Sequence, residues 1–445
     1  MYKTYLALSA LAATQAATSD HWAVIVAGSN GFYNYRHQAD TCHAYQIMKD
    51  NGIPEDQIIH LSYDDVANSS QNPFPGQLFN KPTAAGTPGV DVNAGCKIDY
   101  KGSETTAANV IKVLNGDTTA SGPVLKSNEN SKVFFYFADH GAPGLIAMPT
   151  GGYLYADAFH TALKTMHTNK MYKEMVVYIE ACESGSMFEN ILEDNLNIYA
   201  VSAANAHESS WGTYCSPDDK VNGKSIGSCL GDLFSVNWLE DAEKAKMGKE
   251  TLQDQFKTVQ KETAKSHVLQ WGQTTFTSEA IGNFESGNIT ADLKEKDLWA
   301  KFKHWGKNKL VDITKWDEAK SAQKNDFAVD SRDIKLHYLY SKVQANPTLE
   351  NTKELTAELE HRMQVDEYFA TVFPNHIDAV KSNSTPLPTD FDCYRSLIEA
   401  YETSCERMDD YSLKYMKAFV AECEGIKSFP EMVGQSVTRI QEACQ

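Results

Sequence analysis

Two apolar runs constrain this chain most, because each is unbroken and each ends on one reactive side chain. Val133 to Ala138 reads Val-Phe-Phe-Tyr-Phe-Ala, and Asp139, His140 and Gly141 follow. Met175 to Ala181 reads Met-Val-Val-Tyr-Ile-Glu-Ala, and Cys182, Glu183, Ser184 and Gly185 follow. Runs this rich in β-branched and aromatic residues, closed by Gly, are strands buried on both faces of a parallel sheet. In open α/β sheets the working site lies outside the carboxyl ends of the strands. A histidine and a cysteine delivered to neighbouring strand ends form a base and a nucleophile, so the pattern points to a cysteine hydrolase.

A chain of 445 residues exceeds what one core usually serves, so two domains are expected. The net charge of −18 excludes nucleic acid and anionic lipid as main partners. The acidity has no block structure: residues 331–445 hold −7 of it. Lys3, the apolar stretch Tyr5 to Ala13 and the small residues up to Ala17 read as a secretory signal over residues 1–17. No later apolar run reaches the ~18–20 residues of a membrane span. The expected product is soluble and lies in the secretory pathway, in a vacuole or lysosome or outside the cell. Cysteine usage fits such a compartment. Cys393, Cys405, Cys423 and Cys444 suggest two staples in a small C-terminal domain, and Cys215 and Cys229 bracket a polar loop they could close. Cys42 and Cys96 stay open, paired or free, and Cys182 is the thiol with a motif around it. Asn68, Asn288 and Asn383 begin glycosylation sequons. Asp40, Cys42 and His43 share one helical stretch but lack the spacing of any zinc motif, so no metal and no cofactor is expected.

Strand signals at His21 to Gly28, Ile58 to Leu61 and Asn197 to Ala203 alternate with helical stretches near Gln38 to Asn51 and Ala107 to Leu114. Residues 64–103 read as a long loop. This alternation predicts a doubly wound α/β domain over residues 18–285. Residues 286–350, which include Trp299, Trp305 and Trp316, read as a linker with helix and no strand signal. Residues 351–445 read as an α-helical, disulfide-stapled domain, interrupted near residues 382–388.

The motifs resemble one family, the legumains: asparaginyl endopeptidases, called vacuolar processing enzymes in plants, with a caspase-like fold. The resemblance is carried by Ala27 to Asp40 (Ala-Gly-Ser-Asn-Gly-Phe-Tyr-Asn-Tyr-Arg-His-Gln-Ala-Asp), by Tyr136 to Gly141, and by Tyr178 to Ser186. Ala203 to Ser210 and Leu230 to Trp238 extend it, and the four C-terminal cysteines match the family's prodomain. It implies that Cys182 is the nucleophile, His140 the general base and Asn34 the residue orienting that histidine. The N–H groups of Gly141 and Cys182 would bind the oxyanion. The substrate pocket would be Arg36, His37, Glu180, Ser210 and Asp232. Such a set suits a carboxamide, which needs a donor for its oxygen and acceptors for its NH₂. The implied partners are proteins and peptides with an exposed Asn, together with the chain's own C-terminal domain as an intramolecular inhibitor. Cleavage after Asp is expected at acid pH only.

Ala138 and Phe32 depart from the family's more usual residues without touching this chemistry. In the activation region Asn346 precedes Pro347, whose ring makes that bond a poor substrate. The Asn351–Thr352 bond, or else Asn325–Asp326, is expected to be cut instead. A ligase that passes the acyl group to an amine would share every residue named, and a catalytically silent binding protein would keep only the fold.

Overall fold

A computed structural model describes residues 20–150, 152–287, 324–381, 384–405 and 407–444. The signal segment, Asn288, Asn383, Trp299, Trp305 and Trp316 lie outside the described residues. A seven-stranded sheet forms the centre of the first part: β1 (His21–Ala27), β2 (Ile58–Ser62), β3 (Tyr100–Lys101), β4 (Lys132–Ala138), β5 (Glu174–Glu180), β6 (Ile198–Ser202) and β7 (Leu269–Gly272). The spatial order is β7-β6-β5-β4-β1-β2-β3, and every pair is parallel except β6 with β7. Chain order reverses at β1, which lies between β2 and β4. That is where a doubly wound sheet opens a crevice at its carboxyl edge.

The apolar runs become β4 and β5, and after the first residue of each, the side chains are buried on both faces. Helices α1 (Tyr35–Asp50), α4 (Leu233–Lys244), α5 (Leu252–Glu262) and α6 (Gly282–Glu285) close one side, while α2 (Ala107–Leu114) and α3 (Ala156–Thr168) close the other. Thr106 caps α2, and Thr251 with Asp254 forms a capping box on α5. On the α4 side Trp238 is fully buried among Phe134, Tyr136 and Tyr178, with ring centroids 5.0–5.8 Å apart.

The second part is helical: α7 (Ile334–Ala345), α8 (Leu349–Val372), α9 (Ile377–Lys381), α10 (Phe391–Ser404), α11 (Met416–Ile426) and α12 (Val433–Glu442). Its core, centred on Phe369, Tyr401, Tyr415 and Phe419, continues into Leu145 and Tyr153 of the sheet part. Disulfides join Cys393 to Cys423 and Cys405 to Cys444 there, and Cys215 to Cys229 in the loop. Cys42 is bonded to Cys96, which closes the question the sequence left open and ties α1 to the long loop. No strand was expected beyond residue 285, yet Val329–Asp330 pairs antiparallel with Trp211–Thr213. Two residues laid on an existing edge are too short to leave a periodic signal.

Candidate active site

The parallel register of β4 and β5 aligns Ala138 with Glu180, so His140 and Cys182 leave the sheet side by side, two residues beyond each strand. Their loops touch. A Cβ on Gly141 would lie 2.4 Å from the Cys182 carbonyl oxygen, so this position excludes any larger residue. Glu183 follows the cysteine with φ of 50°, a left-handed turn that a side chain adopts only when its surroundings hold it. Those surroundings are Arg332, whose Nη2 is 2.6 Å from Glu183 Oε2, and Lys417, whose Nζ is 2.9 Å from Oε1.

Cys182 is the one free cysteine and is buried. Its sulfur accepts the Ser210 N–H at 3.3 Å. Burial pushes this thiol up to about 12, although the Arg332 guanidinium opposes the shift. His140 turns elsewhere: Nε2 meets Asn34 Oδ1 at 2.8 Å and Asp410 Oδ1 at 3.2 Å, and Nδ1 has no hydrogen-bond partner. Burial opposes charge on this ring, yet Asp410 and then Asp139 raise its pKa above the ordinary histidine value. Asp410 comes from the helical part, and in spite of burial the imidazolium holds it down at about 2. Its side chain is 39% exposed, so solvent screens the pair from one side. In this state the thiol is neutral and the base is tied to an anion.

The pocket residues named from the sequence converge beside the thiol. Arg36 Nε donates to Asp232 Oδ1 at 2.7 Å, and Nη1 donates to the Tyr33 carbonyl at 3.1 Å. Glu180 Oε2 accepts from the Ser235 N–H and hydroxyl, each at 3.0 Å. His37 Nδ1 lies 2.6 Å from Ser29 Oγ and 3.0 Å from Asp139 Oδ1. Burial, then Arg36, lowers His37 well below the usual value, so it is a neutral member. Burial raises Glu180 well above the carboxylate range, helped by Asp232. Four buried atoms of this set have no hydrogen-bond partner: Arg36 Nη2, His37 Nε2, Glu180 Oε1 and Asp232 Oδ2. His37 Nε2 and Asp232 Oδ2 are 3.3 Å apart but misaligned for a bond.

A segment of the chain itself lies over this site. Ser331 donates its N–H to the Ser210 carbonyl at 3.1 Å, and Arg332 Nη2 donates to the Gly141 carbonyl at 3.2 Å. Arg332, Asp410 and Lys417 had no sequence signal, because each sits in an ordinary helical or linker context and reaches the site only through the fold. Of the bonds expected to be cut, neither is at Cys182. Asn351 is buried in the first turn of α8 and donates to the Asn346 carbonyl at 2.7 Å. Asn325 donates to the Glu262 carbonyl at 2.9 Å. Asn68 is exposed, as an acceptor for glycosylation must be.

Residues 21–296 match the family model described as the peptidase C13 family. The chain belongs to that family. Residues 353–444 match the model described as the legumain prodomain. A vacuolar-processing enzyme delta-isozyme of Arabidopsis thaliana is 39% identical over 97% of this chain and 91% of its own length. A legumain of Canavalia ensiformis is 35% identical over 95% and 87%. This C13 chain is accordingly a cysteine endopeptidase carrying a prodomain, and the segments over its site belong to that prodomain and the stretch leading into it. Among the described residues, no helix is long and apolar enough to cross a membrane.

Proposed function

We propose that this C13 peptidase hydrolyses bonds after Asn, with Cys182 as nucleophile and His140 as general base. The observation that carries the specificity is the set of unpaired buried atoms beside the thiol. A buried polar atom without a partner costs about 1–3 kcal/mol, and these are positioned as one donor, Arg36 Nη2, between two acceptors, Glu180 Oε1 and Asp232 Oδ2. A carboxamide satisfies all three: its oxygen accepts from Arg36 and its NH₂ donates to both carboxyls. An ionised Asp side chain has no donor and faces two carboxyl groups, so it enters only when protonated, at acid pH.

With the covering segments withdrawn, Cys182 regains solvent and His140 loses Asp410. His140 can then take the thiol proton as sulfur attacks the carbonyl carbon, with Asn34 fixing the ring. The N–H groups of Gly141 and Cys182 receive the developing oxyanion. The protonated His140 next gives its proton to the leaving amine, and water hydrolyses the thioester. The chain reads as a zymogen of the secretory pathway, destined for an acidic compartment such as the vacuole named for its relatives.

Peptide reporters differing only at the residue before the scissile bond test this reading. The acid-treated chain should cleave Asn reporters at least about a hundredfold better than Gln, Ala or Lys reporters, the scale of a mispaired buried polar site. Equal cleavage of Ala and Asn reporters would remove the pocket assignment.

A further inference from the structure

A second polar layer stands behind the pocket. Arg36, Asp40 and His43 are spaced i, i+4 and i+7 along one face of α1, and all three are buried. Asp40 Oδ2 accepts the Asp232 backbone N–H at 3.0 Å, and Asp40 Oδ1 accepts from Asn80 Nδ2 at 2.6 Å. Asn80 Nδ2 also donates to the Leu230 carbonyl at 2.9 Å, and Asn80 Oδ1 meets His43 Nδ1 at 2.8 Å. His43 Nε2 faces Glu243 Oε1 at 3.0 Å, and Glu243, 32% exposed, is where this chain of bonds reaches solvent. The chain therefore runs unbroken from the surface of α4 to the floor of the pocket.

The groups facing Asp40 come from every neighbouring element. Arg36 and His43 share its helix, Asp232 lies on the Gly231–Asp232 strand, and Glu180 lies at the end of β5. Tyr136 of β4, bonded to Ser235 of α4, is a further neighbour. Two carboxyl groups beside one guanidinium in a dry site do not ionise independently; they hold a proton between them. Burial raises both, Asp232 raises Asp40 further, and Arg36 draws Asp232 back down. Asp232 is thus the standing anion and Asp40 the proton holder. Burial works against charge on His43, but Glu243 outweighs it and raises this histidine, so an imidazolium can stand at the outer end.

We infer that Asp40 is a specificity-determining positioning residue: it fixes the Asp232 backbone and shares one proton with the Asp232 carboxyl, whose loss closes the pocket to acidic side chains. The inference rests on the reading of this pocket as a carboxamide site. While the proton is held, the pocket accepts an amide or a protonated acid. Once it is lost, a second fixed negative charge stands behind Asp232. An uncharged carboxamide still fits, whereas an acidic side chain is refused even in the pH range where part of it remains protonated. The pH limit for cleavage after Asp then belongs partly to the enzyme. Positive charge on His43 eases the loss of the proton, and removing that charge delays it.

The test is the pH dependence of kcat and KM for paired Asn and Asp reporters, using the full chain after acid treatment, as wild type, Asp40→Asn and His43→Gln. Asp40→Asn should move the upper pH limb for the Asp reporter upward by about one unit, the scale of a single like-charge neighbour. The limb for the Asn reporter should stay in place, with KM raised and kcat within about tenfold, as expected when binding rather than chemistry is loosened. His43→Gln should move the Asp limb the same way by less. An Asp limb unchanged in variants that still cleave the Asn reporter overturns the inference and leaves the pocket reading standing. If Asp40→Asn does not fold, an unchanged limb in His43→Gln, which lies at the periphery, overturns it equally. If wild type cleaves no Asn reporter, the pocket reading fails first and this inference falls with it.

Discussion

His140 and Asp410 form the contact that most directly switches the site off. The sign of its pH dependence follows from two shifts. His140 is raised, so its part of the docking energy is present below the ordinary value near 6.5 and lost as pH rises through the raised one. Asp410 is lowered to about 2, so its part is present above 3.8 and lost only as pH falls toward 2. The pair is therefore intact across the mildly acid range, and acid does not open the cap by breaking it. Asp410→Asn should lower the pH at which His140 titrates by about 1–2 units, read by NMR of the ring protons in the uncut chain. An unmoved titration would mean that Asp410 does not contact the base. Within the pocket, Glu180→Gln places an NH₂ where an acceptor is needed, and should cut kcat/KM for Asn reporters by about 10–100-fold. A loss smaller than threefold would take Glu180 out of recognition. His140, Cys182 and Glu180 were legible because strand ends carry a local signature. Asp40 was named but dismissed, since its partners Asp232 and Asn80 lie 192 and 40 residues away.

At the scale of elements, the strands of the sheet were legible because burial on both faces leaves unbroken apolar runs. The Val329–Asp330 strand was not, because tertiary pairing with Trp211–Thr213 rather than propensity creates it. The first turn of α8 matters most for activation. Thr348 caps it by accepting the Asn351 N–H at 3.2 Å, so the Asn351–Thr352 bond is helical and out of reach until that turn unwinds. Thr348→Ala removes about 1 kcal/mol of cap energy and should speed acid processing at Asn351 by about fivefold. Timed terminal sequencing checks this. An unchanged rate, with the product still ending at Asn351, would show that unwinding does not limit the cut. The disulfide between Cys42 and Cys96, 54 residues apart, anchors the helix that supplies Arg36, His37 and Asp40. Cys42→Ser should lower stability by about 2–4 kcal/mol in denaturant unfolding, with Cys96→Ser giving a matching loss. No loss in either would mean the bridge does not form in the folded chain.

As a whole molecule, the protein joins a catalytic sheet to a helical cap whose core is continuous with it at Leu145 and Tyr153. Tyr155 packs its ring against Phe391 and Tyr394, and Arg395 lies over Tyr155 with its carbon 4.5 Å from the ring centre. The cap also reaches the reactive residues, through Arg332 and Lys417 on Glu183 and Asp410 on His140. Domain organisation was legible in outline from the change of character after residue 285. The contacts between the parts were not, since surface complementarity leaves no periodic trace in either sequence. The central claim is that Cys182 cleaves after Asn in a chain that holds itself inactive until acid exposure. Incubating the full-length chain and its Cys182→Ala variant at neutral and mildly acid pH, then determining the termini of every fragment, tests this most directly. The wild-type chain should stay whole and inactive at neutral pH and yield fragments ending in Asn at acid pH, while Cys182→Ala stays whole at both. Fragments in Cys182→Ala, or wild-type fragments that do not end in Asn, would contradict the account.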